Sequence, residues 1–147
     1  METAKPAYDS IKVVRQADLS TSTAQSYGMT RYEAISGRTV GARGLWMGRA
    51  LAPPGLVSEP HHHGEAESAL FVARGAATFL CGPDLYERVD VAAGDFLYIP
   101  PFAVHVEANL GGEEVEFVVV RSTQEAIVVN LPDHPFPREL LEPPMGV

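Results

Sequence analysis

Residues 55–75 read G-L-V-S-E-P-H-H-H-G-E-A-E-S-A-L-F-V-A-R-G. Three adjacent histidines, several glutamates and an apolar run lie between two glycines. Imidazole and carboxylate together suit a divalent transition metal such as zinc, iron, nickel or manganese. Side chains alternate between the two faces of a strand, so His61 and His63 point one way and His62 the other. One short strand thus aims two ring nitrogens at a single point. A strand returning after a turn at Gly64 and Glu65 brings Glu67 as a further ligand, and a third nitrogen has to come from elsewhere.

Residues 94–109, G-D-F-L-Y-I-P-P-F-A-V-H-V-E-A-N, supply it in His105. Taken together the two stretches resemble the cupin family. Its first motif is a glycine, five residues, H-x-H, three or four residues, a glutamate, six residues and a glycine. Gly55, His61, His63, Glu67 and Gly75 resemble that pattern. The second motif is matched by Gly94, Pro100, His105 and Asn109, with Phe102 where the family has a glycine. The resemblance implies a double-stranded β-helix (the small jelly-roll barrel), a bound divalent metal held by His61, His63, Glu67 and His105, and a small organic ligand. It implies dioxygenase chemistry, or isomerase and lyase chemistry with Glu67 or Glu107 as base; a non-catalytic metal-binding module is the other reading.

The glutamate position is ambiguous. Counting back from Gly75, the family's glutamate falls on Ser68, and alternation with Leu70 and Val72 puts Ser68 inside and Glu67 outside. Glu67 ligates only if a bulge re-aims it. Otherwise Glu107, two residues after His105 and on the same face, is the substitute. His62 is expected to face outward, Glu65 to be solvated in its turn, His134 to be unrelated to the site and Asn109 to hold a turn. Arg49 and Arg121 stand on strands; either one pointing inward would clamp a carboxylate-bearing substrate.

The rest of the chain fits an all-β domain. Short apolar runs at 44–51, 69–73, 76–80, 85–91, 96–99, 104–108, 115–121 and 126–131 alternate with glycine and proline turns, and no helix-period segment competes. The expected organisation is an N-terminal arm with edge strands at 1–40, a barrel at 41–131 and a proline-rich tail at 132–147. Ile11 to Val14 reads as an edge strand or arm, and residues 27–39 as a short strand or a lid. Phe71, Phe79, Tyr98, Phe102 and Phe117 read mostly as core. The tail carries Phe136, Leu140, Leu141 and Met145, enough apolar surface to cover a sheet of its own barrel or a neighbour's, and a homodimer exchanging arms is preferred.

At 147 residues with a formal net charge of −8, the chain is sized for one domain and repels nucleic acid. No apolar run approaches the roughly 20 residues that span a bilayer, so no membrane partner is expected. The N-terminus lacks the apolar core of a secretory signal, and the single Cys81 makes no internal disulfide; both fit a cytoplasmic protein. Cys81 reads as a small buried hydrophobe rather than a nucleophile.

Overall fold

The computed structural model describes residues 5–124 and 126–142. Ten strands carry the fold: β1 (Thr30–Ile35), β2 (Trp46–Ala52), β3 (His61–His62), β4 (Ser68–Arg74), β5 (Ala76–Cys81), β6 (Glu87–Ala92), β7 (Phe96–Ile99), β8 (Val106–Ala108), β9 (Val115–Arg121) and β10 (Val129–Asn130). They form a five-stranded sheet in the order β1-β2-β9-β4-β7, a three-stranded sheet β6-β5-β8, and a two-stranded ribbon β10-β3. Every pairing is antiparallel. This is the small jelly-roll barrel, a double-stranded β-helix in one domain.

The period-2 pattern decides which faces meet. In β9, Val115, Phe117, Val119 and Arg121 turn inward and the intervening residues are half-buried. In β4, Ser68, Leu70 and Val72 do the same. The apolar residues among these join Trp46, Ala50, Ala77, Phe79, Val91 and Ile99 in one core. Each large side chain buried there contributes on the order of 1.5–3 kcal/mol. Register places Arg121 opposite Trp46 on one side and Ser68 on the other, which fixes the surroundings of its guanidinium.

The tail covers the outer face of the smaller sheet. Leu141 is buried with Leu80, Leu85, Val106 and Ala108, and Phe136 and Leu140 pack alongside. The Arg88 guanidinium donates to the carbonyls of Leu140 and Glu142, at 2.7 and 2.9 Å. The described tail thus packs on its own barrel; Met145 lies outside the described residues. Ile11 and Val13 are exposed and form no strand, so of the two readings, edge strand or arm, the strand is not found. Residues 126–131 keep only a two-residue strand, because Ala126 turns into the core. Tyr98, on the outward face of β7, and Phe102, in the turn after it, are exposed, not core. Among the described residues no helix is long and apolar enough to cross a membrane.

Two turn positions depend on left-handed backbone. Gly75 has φ +83°, and a Cβ there would lie 3.0 Å from the Glu114 carbonyl oxygen, so the turn that carries the chain from β4 in one sheet to β5 in the other needs glycine. Phe102 adopts φ 59° without being glycine, which costs about 1–2 kcal/mol for an L side chain. Its amide donates to the Gly64 carbonyl at 2.8 Å, so the pairing of the two motif loops enforces the conformation. Phe102→Gly is expected to leave stability equal or slightly raised, since the relieved strain exceeds the roughly 0.5–1 kcal/mol of added chain entropy. Thermal melts check this; a drop of several degrees would show that the contact of Phe102 with the His62 ring outweighs the strain.

Candidate metal centre

The two motif segments meet through their backbones. His61 and His105 are paired antiparallel, the amide of each donating to the carbonyl of the other at 3.1 and 3.0 Å. Their rings lie 4.3 Å apart, with the His63 ring 5.2 Å from His61 and 5.1 Å from His105. His61, His63, His105 and Glu107 each present a ligand atom, all within 4.8 Å of one another, and all four residues are buried.

Each ring is locked by a carbonyl at its far nitrogen. Nδ1 of His61 lies 2.8 Å from the Glu59 oxygen, Nδ1 of His63 2.8 Å from Ile127, and Nδ1 of His105 2.9 Å from Ala103. A carbonyl only accepts, so each Nδ1 carries the hydrogen and each Nε2 presents a lone pair. This is the outer hydrogen bond that orients metal-ligating imidazoles. Glu107 Oε1 stands 3.3 Å from Nε2 of His105 and 3.6 Å from Nε2 of His61. Neither approach is aligned as a hydrogen bond, and both Nε2 atoms and Glu107 Oε2 are buried without a partner. Buried acceptors left unpaired are costly; a divalent cation would satisfy all of them together, so the donor set fits one.

Burial sets the protonation. It lowers the His61 pKa, with Glu107 opposing and His105 adding to the effect. His63 is lowered to about 2 by burial, then by the charge of Arg121 and the neighbouring rings. For Glu107, burial favours the protonated acid, but His105 and His61 outweigh it and hold the carboxyl well below the usual range. Burial thus holds His61 and His63 in the neutral imidazole form that ligates.

Glu67 is not brought to this group. No bulge re-aims it; it is exposed, and its carboxylate accepts the Tyr98 hydroxyl at 2.7 Å. That carboxylate raises the Tyr98 pKa. Ser68 takes the inner position instead and accepts from Nε of Arg121 at 3.2 Å. His62 is half-buried, and its Nδ1 accepts the Gly64 amide. Asn109 holds its turn, donating to the carbonyls of Ala52 and Glu113 and accepting from the Gly111 amide. His134 is outside the cluster. Burial and Glu87 raise the Cys81 thiol, so it is no activated nucleophile.

Arg49 faces outward and pairs with Glu116, but Arg121 points into the barrel. Arg31 of β1 joins it, a residue that sequence reasoning passed over; the polar-faced alternation of Met29, Arg31 and Glu33 was the available signal. With His63 and Glu107 the two arginines line a void of about 10 Å³. Burial lowers the Arg121 pKa to about 9, helped by Arg31 and opposed by Glu107. On the other side, an open apolar groove of about 810 Å³ between β6 and β7 reaches His105, and Ile99 lines both spaces.

A jelly-roll barrel with three histidines and a carboxylate gathered inside defines a class, the small metal-site β-barrels. A cupin domain model matches residues 48–121, and the chain belongs to the cupin family. It is 28% identical over 134 residues to oxalate oxidase 1 of Hordeum vulgare, covering 83% of this chain and 66% of that relative's length. Its fold is similar to that of the polyketide cyclase RemF from Streptomyces resistomycificus, with a TM-score of 0.68, 23% identity, and 86% and 91% of the two chains covered. It also resembles oxalate decarboxylase from Bacillus subtilis in an S161A mutant structure, with a TM-score of 0.65 at 22% identity, covering 74% of this chain and 29% of that one.

Because the folded chain keeps His61 and His63 neutral, protons favour the unfolded chain as pH falls through the ordinary histidine value of 6.5. The metal-free protein should lose roughly 1 kcal/mol per buried histidine for each pH unit below that point. Melting temperatures recorded from about pH 7 down to about pH 5 check the sign; an unchanged melting temperature would contradict the burial argument.

Proposed function

We propose that the chain is a metal-dependent cupin enzyme acting on a small organic molecule, with His61, His63, His105 and Glu107 as the ligands of a divalent transition metal. The observation that carries this reading is the convergence of four buried ligand atoms, three of them on rings already oriented by carbonyls. A bound manganese, iron, zinc or nickel ion would supply Lewis-acid or redox chemistry at its open positions.

Oxidoreductase chemistry is the favoured branch. A carboxylate that ligates a metal is not free as a general base, and the expected alternative, Glu67, is on the outer surface. The other buried carboxylate, Glu33, accepts from Arg38 and Trp46. Among the described residues the lumen thus offers no spare base for isomerase or lyase chemistry. The similarity to oxalate oxidase supports the same branch. In this reading the chain's own residues orient the ligand rings and exclude water from the lumen. The homodimer reading now rests on the exposed apolar residues Phe96, Val89 and Tyr86 beside the groove, in place of the tail.

Elemental analysis of the purified protein, followed by oxygen uptake with diketones, phenols, keto acids and oxalate, tests this. Near-stoichiometric manganese or iron with substrate-dependent uptake is the expected result, and metal-free protein with unoriented histidines would refute it. His63→Ala and Glu107→Gln should each lower metal affinity by more than the roughly 10–100-fold typical of an outer-shell loss. Glu67→Gln should leave metal content unchanged, and a loss there would restore Glu67 as a ligand.

A further inference from the structure

Arg31 and Arg121 are 1% and 3% exposed, and among the described residues neither forms an ion pair with a carboxylate. Arg31 donates from Nη1 to the Ser26 hydroxyl at 2.8 Å, and Arg121 from Nε to Ser68; Nε of Arg31 and Nη1 of Arg121 are left without partners. The Arg121 guanidinium also sits over the Trp46 ring at 5.5 Å. Buried charges are normally paired, because removal from water is costly. Here two cations face a single carboxylate, Glu107, which both feel only at longer range. Glu33 does not help, since Arg38 and Trp46 occupy it. The lumen is left with one uncompensated positive charge, and with three once a divalent cation is added. The cupin pattern places a glutamate where this chain has Ser68. A carboxylate there would have neutralised Arg121 internally; a hydroxyl takes Nε alone and leaves the charge and Nη1 unpaired.

We propose that Arg121 and Arg31 form an anion-binding subsite that selects a carboxylate-bearing substrate and directs its carboxylate into the lumen beside the metal ligands. The planar guanidinium fork matches a carboxylate in geometry, which a point charge would not. The void the arginines share with His63 and Glu107 is about 10 Å³, room for roughly one water-sized group. A carboxylate is larger than that, so the subsite admits only a compact headgroup, and only as the unbranched Met29 side chain that also walls the void gives way. The proposal deepens the metal-enzyme reading above, but the two arginines and their unpartnered N–H groups stand independently of any ion.

The test is calorimetric titration of zinc-loaded protein with acetate and with the neutral, similarly shaped acetamide, for wild type, Arg121→Gln and Arg31→Gln. Wild type should prefer acetate by about tenfold or more, the range of a hydrogen bond to a charged group, and each variant should lose most of that preference at unchanged zinc content. Equal acetate affinity in all three proteins, or no preference in wild type, overturns the proposal. Should one glutamine variant not fold, the other and Arg121→Lys carry the comparison, lysine keeping the charge without the fork. If wild type takes up none of zinc, manganese, iron or nickel, the metal-enzyme reading fails by itself. The subsite is then judged on metal-free protein, where acetate should raise the melting temperature of wild type and not of the variants; identical responses overturn it.

Discussion

The antiparallel pairing of His61 with His105 is the constraint on which the site depends. Two amide-to-carbonyl bonds of 3.1 and 3.0 Å bring together residues far apart in the chain and set their rings 4.3 Å apart. Alternation along β3 then adds His63 to the same side, and alternation along β8 adds Glu107. The carbonyls of Glu59, Ile127 and Ala103 finish the arrangement by taking the Nδ1 hydrogens. No flexible side chain has to be ordered at the moment of binding, which is the sense in which the cluster is preorganised.

That organisation is held at a cost in stability. Three imidazole rings, one carboxylate and two guanidinium groups occupy an interior that would be more stable if filled by aliphatic side chains. The surrounding core, with Trp46, Phe117 and Val119 packed between the sheets, offsets the cost. Folds keep such groups where function requires them. The same logic connects Ser68 with Arg121: the carboxylate that the family pattern places on β4 is here on β8, and its vacated position has become a hydroxyl holding an arginine.

The all-β class was legible in the sequence because its strands are short, alternate cleanly and end at glycine or proline; the double-stranded β-helix followed from the resemblance of the two motifs to the cupin family. His61 and His63 were legible because their spacing puts them on one face of a strand, and His105 because the second motif resembles that of the cupin family. The fourth ligand was half legible. Alternation along β4 already placed Glu67 outside, while the motif count drew it inside, and the structure follows the alternation. Arg121 could be foreseen as an inward residue, but Arg31 could not be recognised by searching for apolar periodicity, because β1 buries charge. Tyr98 and Phe102 misled for the opposite reason: aromatic strand residues suggest core, and these two face outward. The path of the tail over the smaller sheet depends on tertiary packing that no local pattern encodes.

X-ray absorption at the edge of the bound metal tests the central claim most directly. Three imidazole nitrogens and one carboxylate oxygen at about 2.0–2.2 Å are expected in the wild-type protein, completed by light oxygen scatterers from solvent. The imidazole count should fall from three to two in His63→Ala protein. A spectrum without an imidazole signature, or one unchanged by that substitution, would show that the ion is held elsewhere and that the converging rings are not its ligands.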